Sequence, residues 1–235
     1  MKSLSSRRTL IVAALAVVAL AVIASVAEAH GVSRKDATFV ESINGAAIGP
    51  FLYLGAKHMV TGYDHLLFLV GVIFFLYRLR DVLLYVSLFT LGHSITLLGG
   101  VLGGVQANPY LIDAVIGLSV VYKGFENIGG FTYFFGRQPD TRAAVLVFGL
   151  FHGFGLATKL QELALTREGL VANIVSFNVG VEIGQALALM FVLIGLTWWR
   201  TRSGYLRHAF FTNALLMTGG FLLVGYQLSG YALAQ

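Results

Sequence analysis

Residues 54–77 read LGAKHMVTGYDHLLFLVGVIFFLY. The length suits a transmembrane helix, since a hydrocarbon core of ~30 Å takes ~20 residues to cross. The first half nevertheless carries His58, Asp64 and His65. Ionisable side chains at that depth are costly unless they pair, bind an ion or face water, so they mark a functional site. The rest of the chain agrees with a membrane setting. Hydrophobic residues make up 57% of the sequence and charged ones 11%, and the mean hydropathy is +0.80, far from the soluble average. Further apolar stretches lie near 81–103, 109–130, 143–162, 170–199 and 206–228. The sequence thus predicts an all-α polytopic membrane helical bundle with about six transmembrane helices.

Before the first span, Lys2, Arg7 and Arg8 precede an apolar run from about Leu10 to Ile23 and the small-residue signature Ala27-Glu28-Ala29. This pattern predicts a cleavable signal peptide over 1–29, then a periplasmic N-terminal segment over 30–53 and a six-helix transmembrane domain over 54–235. Cleavage after Ala29 would leave His30 first, where its α-amine and imidazole together would form a metal-capture site.

Sixteen Lys plus Arg against eleven Asp plus Glu give a formal charge of +5. The basic residues sit in loops: Arg78 and Arg80 after the first span, Arg137 and Arg142 after the third, Arg200, Arg202 and Arg207 after the fifth. In the opposite loops, Lys159, Glu162, Arg167 and Glu168 cancel. By the positive-inside rule the mature N-terminus is periplasmic and the protein multi-pass in a bacterial inner membrane. No basic patch with interleaved aromatics suggests nucleic acid; the predicted surroundings are the lipid bilayer, and a homo-oligomer is compatible with the composition. The chain has no cysteine, so thiolate metal sites and disulfides are excluded.

Counting along each span, Asp64, His65, His93, His152 and Glu182 all lie near mid-membrane or slightly outward. His58 and His65 are separated by seven residues, within about 20° of two full turns, so both imidazoles share a face if the helix is regular. Gly62 lies on that stripe, where it either admits a close neighbour or breaks the helix, as at many transport sites. In the fifth span Asn178, Glu182 and Gln185 follow an i, i+4, i+7 stripe, with Gly180 and Gly184 roughly opposite and suited to tight packing. Thr90, Ser94 and Thr96 are expected to bond within their own helix, Lys123 and Glu126 to pair at i, i+3, and Asp113 to lie solvated near the outer interface. Trp198 and Trp199 are expected as interfacial anchors. Imidazole and carboxylate donors without thiolate suit nickel, cobalt or zinc rather than copper(I). The candidate metal ligands are therefore His58, Asp64, His65, His93, His152 and Glu182, with Ser94, Glu126, Asn178 and Gln185 as supporting polar residues.

An ordered set of motifs carries a resemblance. His58, Asp64 and His65 form H-x5-D-H; FTLGHSITL holds His93 and Ser94; Glu126 and Asn127 open ENI; FGLFHGFGLA holds His152; FNVGVEIGQ holds Asn178, Glu182 and Gln185. Together they resemble the HupE/UreJ membrane proteins. Met59 stands where the better-studied branch has proline, so the chain is more similar to a second branch. The resemblance implies a permease for Ni²⁺ or Co²⁺ and a link to hydrogenase or urease maturation.

Three functions remain open on the residues themselves. The first is a Ni²⁺ or Co²⁺ permease with an intramembrane His/Asp/Glu site accessible from the periplasmic side. The second is a membrane-embedded hydrolase of a lipid amide or ester, with Zn²⁺ held by the histidines and Asp64. The third is a non-transporting metal sensor or metalloenzyme assembly factor.

Overall fold

The computed structural model describes residues 38–40, 43–162 and 167–234. The predicted signal peptide and His30 lie outside the described residues. The chain runs through α1 (Ile48–Thr61), α2 (Tyr63–Ile73), α3 (Leu79–Gly103), α4 (Pro109–Asn127), α5 (Gly130–Phe135), α6 (Thr141–Gln161), α7 (Leu170–Arg200) and α8 (Tyr205–Leu233). Among the described residues there is no strand. The protein is an all-α polytopic membrane bundle.

Among the described residues four helices, α3, α6, α7 and α8, are by length and composition long and apolar enough to cross a membrane. The helix α4 carries Asp113, Lys123 and Glu126 and is correspondingly less apolar. The first predicted span is two helices, α1 and α2, divided at Gly62. It also starts earlier than the sequence predicted, at Ile48.

The helices pair as α1 with α7, α3 with α6 and α4 with α8, while α2 touches α3, α4, α7 and α8 and occupies the centre. Small residues allow these approaches. A Cβ on Gly55 would collide with the Phe177 carbonyl, and one on Gly180 with the carbonyl of Leu52. The predicted packing face of α7 is therefore the one that meets α1.

The ends of the bundle are fixed by polar contacts. At the arginine-bearing end, Arg200 Nη2 donates to the carbonyls of Ile73 (2.6 Å) and Phe74 (2.8 Å), and the Tyr205 hydroxyl donates to Phe74 O at 2.5 Å. The last carbonyls of α2, left over by any helix C-terminus, are thereby satisfied. Lys123 and Glu126 form the predicted ion pair at 2.5 Å, and Gln138 and Thr141 also donate to Glu126. Trp198 is exposed with Arg202 over its ring, whereas Trp199 packs edge-on to Tyr205. At the other end Asn173 accepts from Ala47 N and donates to Gly45 O, tying the start of α7 to the approach to α1.

Two apolar clusters fill the interior. One, around Phe51, Leu97, Leu156 and Ile174, lies toward the Asn173 end; the other, around Phe68, Phe89, Val145 and Leu189, lies toward the arginines. His65, His93 and His152 sit at the level between them.

Candidate metal centre

The break at Gly62 decides the site. In a continuous helix, seven residues at 1.5 Å each would separate His58 from His65 by about 10 Å along the axis. Instead their ring centroids are 5.1 Å apart. Gly62 adopts φ −72°, ψ 99°, its N–H still donates to His58 O at 2.8 Å, and Leu66 N–H donates to Gly62 O at 3.0 Å. The negative φ does not demand glycine, but the neighbours do: a Cβ would lie 2.8 Å from His65 Nδ1 and 3.2 Å from Asp64 Oδ1.

Around His65 the other imidazoles gather. Its ring centroid lies 4.9 Å from that of His152 and 6.1 Å from that of His93. Helices α1, α2, α3 and α6 thus contribute one imidazole each. Two rings sharing one ion through metal–nitrogen bonds of about 2.0–2.1 Å would have centroids about 4.5–5.2 Å apart. The His58–His65 and His65–His152 pairs fall in that range; His93 lies somewhat further out.

Ring nitrogens are assigned by their partners. Asp64 Oδ1 lies 3.0 Å from His65 Nδ1, and a carboxylate only accepts, so this nitrogen carries the hydrogen. His152 Nδ1 likewise donates to Phe148 O at 2.7 Å. In both rings the lone pair is then on Nε2, the arrangement in which an outer partner orients a metal-ligating histidine. The Nε2 atoms of His65 and His93 are buried and without a hydrogen-bond partner among the described residues, an expensive condition in an apolar interior. Among the described residues no group of three or more His, Asp or Glu side chains is arranged to hold a metal ion as it stands.

Two cavities meet at His65. One is lined by His58, Gly62, Asp64, His65 and His152 together with Asp113 and Lys159. The other is almost wholly apolar, lined by Phe68, Val72, Phe89 and others, with Gln185 at its edge.

The supporting residues divide. Asn178 donates to Ser94 Oγ at 2.9 Å, and Thr90 Oγ donates to Gln185 Oε1 at 2.9 Å, so the polar stripe of α7 clamps α3 on either side of His93. Thr96 donates to Leu150 O of α6 at 2.7 Å. The sequence predicts bonds within their own helix for these hydroxyls; Thr90 and Ser94 bond to α7 instead, and Thr96 adds the contact to α6 to those in its own turn. Glu126 belongs to the ion pair at the arginine end. Glu182 is exposed, on a different side of α7 from buried Asn178 and Gln185. The i+4 position lies about 40° from residue 178 and about 60° from residue 185 on a helical wheel, enough to carry it past the seam with α3.

The sequence alone does not join Asp113 and Lys159. It predicts Asp113 solvated near the outer interface and Lys159 as one of the cancelling charges of an opposite loop, but Asp113 is buried and Lys159 mostly so. An acid within an apolar helix signals a cation nearby; its partner is 46 residues away in sequence, beyond any local pattern.

A family model described as HupE / UreJ protein matches residues 34–235. No curated protein and no solved structure matches the chain. The matched family is associated with nickel or cobalt handling and with urease or hydrogenase maturation, and it points to transport and away from the hydrolase reading. With the match covering all but the first residues of the chain, the protein belongs to the HupE/UreJ family of membrane proteins.

Proposed function

We propose that the protein is a permease for Ni²⁺ or Co²⁺ in a bacterial inner membrane, with its mature N-terminus in the periplasm and its metal site reached from that side. The observation that carries this reading is the layer of four imidazoles centred on His65, in which the Nε2 atoms of His65 and His93 are buried without a hydrogen-bond partner among the described residues. A divalent ion supplies what those nitrogens lack. Neutral imidazoles and nitrogen-plus-carboxylate donors suit nickel and cobalt, with Zn²⁺ as competitor.

Arginines around the α2–α3, α5–α6 and α7–α8 junctions support a cytoplasmic location for that end. The polar cavity then approaches His65 from outside, and the apolar one lies beyond it. His65 lines both cavities and is the natural point at which access alternates. Glu182 has no part in the ion's coordination in this reading.

Flux of Ni²⁺, Co²⁺ and Zn²⁺ into proteoliposomes, measured side by side with and without a proton gradient, tests the proposal. Saturable Ni²⁺ or Co²⁺ uptake that is abolished in His93→Ala is expected. Equal leakage of all three metals in the parent and the variant would refute it.

A further inference from the structure

Asp113 on α4 and Lys159 on α6 form an ion pair of 2.7 Å, with side chains 7% and 18% exposed. Gln227 of α8 donates to the same Oδ2 at 3.4 Å. Both charged residues line the cavity that holds His58, Asp64, His65 and His152. Gly155 lines the same cavity, where a Cβ would press on Ile112 at 3.0 Å and Ile116 at 3.2 Å.

Withdrawing two charges from water costs more than their attraction commonly returns, so a buried pair is weak evidence of a purely stabilising role. Its position suggests another. A divalent ion on its way to His65 passes an ammonium that repels it and a carboxylate that attracts it. While the two are joined, their fields largely cancel; once they separate, Asp113 becomes a ligand and Lys159 an obstacle that has moved aside.

We infer that the Asp113–Lys159 pair is an exchangeable latch on the access path: Lys159 is a tethered cation that occupies the Asp113 carboxylate until a divalent metal ion replaces it. The exchange keeps the carboxylate paired with a cation throughout, although the divalent ion brings one positive charge more than the ammonium it displaces. The carboxylate passes from one cation to another, and the ammonium, already partly exposed, turns toward water on its flexible stem. The latch rests on the permease reading and adds to it a carboxylate outside the histidine layer.

The test uses the full chain in nanodiscs for equilibrium Ni²⁺ binding and in proteoliposomes for Ni²⁺ uptake. Lys159→Gln leaves the carboxylate uncompensated, so Ni²⁺ should bind at least about tenfold more tightly while uptake slows because release is impeded. Lys159→Arg keeps the ion pair, and with it the fold, but grips the carboxylate with a bidentate fork; uptake should fall about fivefold or more at unchanged yield of monodisperse protein. Parent values for both quantities in Lys159→Arg, and in Lys159→Gln where it folds, would overturn the latch. Lys159→Arg alone decides if Lys159→Gln does not fold. His93→Ala separates the two readings. If it abolishes uptake while the Lys159 variants match the parent, the permease stands and the latch falls; if the parent itself neither binds nor transports Ni²⁺, both fall.

Discussion

At the scale of single residues, the site depends on side chains that orient other side chains. Asp64 holds the hydrogen on His65 Nδ1, and loss of such an outer partner typically costs about 10–100-fold in metal affinity. Asp64→Asn should weaken Ni²⁺ binding by that amount, measured by titration of purified protein. Gly62→Ala acts through space rather than charge. Its methyl would lie 2.8 Å from His65 Nδ1, forcing the ring off Asp64, and Ni²⁺ affinity should fall at least about tenfold with expression little changed. The sequence made these residues legible as a group because ionisable side chains in an apolar run have few explanations. It did not reveal how His58 and His65 meet. A regular helix gives them a common face but leaves them two turns apart, and the broken backbone that closes the distance leaves only a glycine as its sign.

At the scale of elements, the long apolar helices were legible nearly to the residue: α3, α6 and α7 begin and end within about two residues of their predicted spans. Hydropathy reports length and lipid exposure, and those set the limits of a spanning helix. It says little about which neighbour a face meets. Asn178, Glu182 and Gln185 form one stripe in sequence, but only Asn178 and Gln185 reach α3, because the seam is narrower than the stripe. Asn178→Ala should cost about 0.6 kcal/mol and no more than about 1.7 kcal/mol, the range for interhelical hydrogen bonds in a membrane, read by reversible unfolding in mixed micelles. Gly180→Val should cost more, about 1–3 kcal/mol or above, since its side chain would have to part α7 from the Leu52 carbonyl of α1. The same unfolding assay checks it.

At the scale of the whole molecule, the bundle places a layer of nitrogen donors between two apolar clusters, with a polar cavity on one side and an apolar one on the other. Such an asymmetry suits a path open to one face at a time. The proposed orientation rests on the arginine loops, and the absence of cysteine from the sequence makes it simple to test. Single-cysteine variants Gln106→Cys and Arg202→Cys should label oppositely with a membrane-impermeant maleimide: residue 106 in intact spheroplasts, residue 202 only after permeabilisation. The reverse pattern would invert the proposed topology. Asp113 and Lys159 show where sequence reading stops at this scale, since a pair joined across α4 and α6 becomes visible only when the helices are packed.

Imidazoles from four helices are proposed to share one divalent ion, and X-ray absorption at the nickel edge of the loaded protein in nanodiscs addresses this sharing directly. Coordination by at least three imidazole nitrogens at about 2.0–2.1 Å, with one ring lost in each of His65→Ala, His93→Ala and His152→Ala, is the predicted result. A first shell of oxygen alone, unchanged in those three variants, would contradict it.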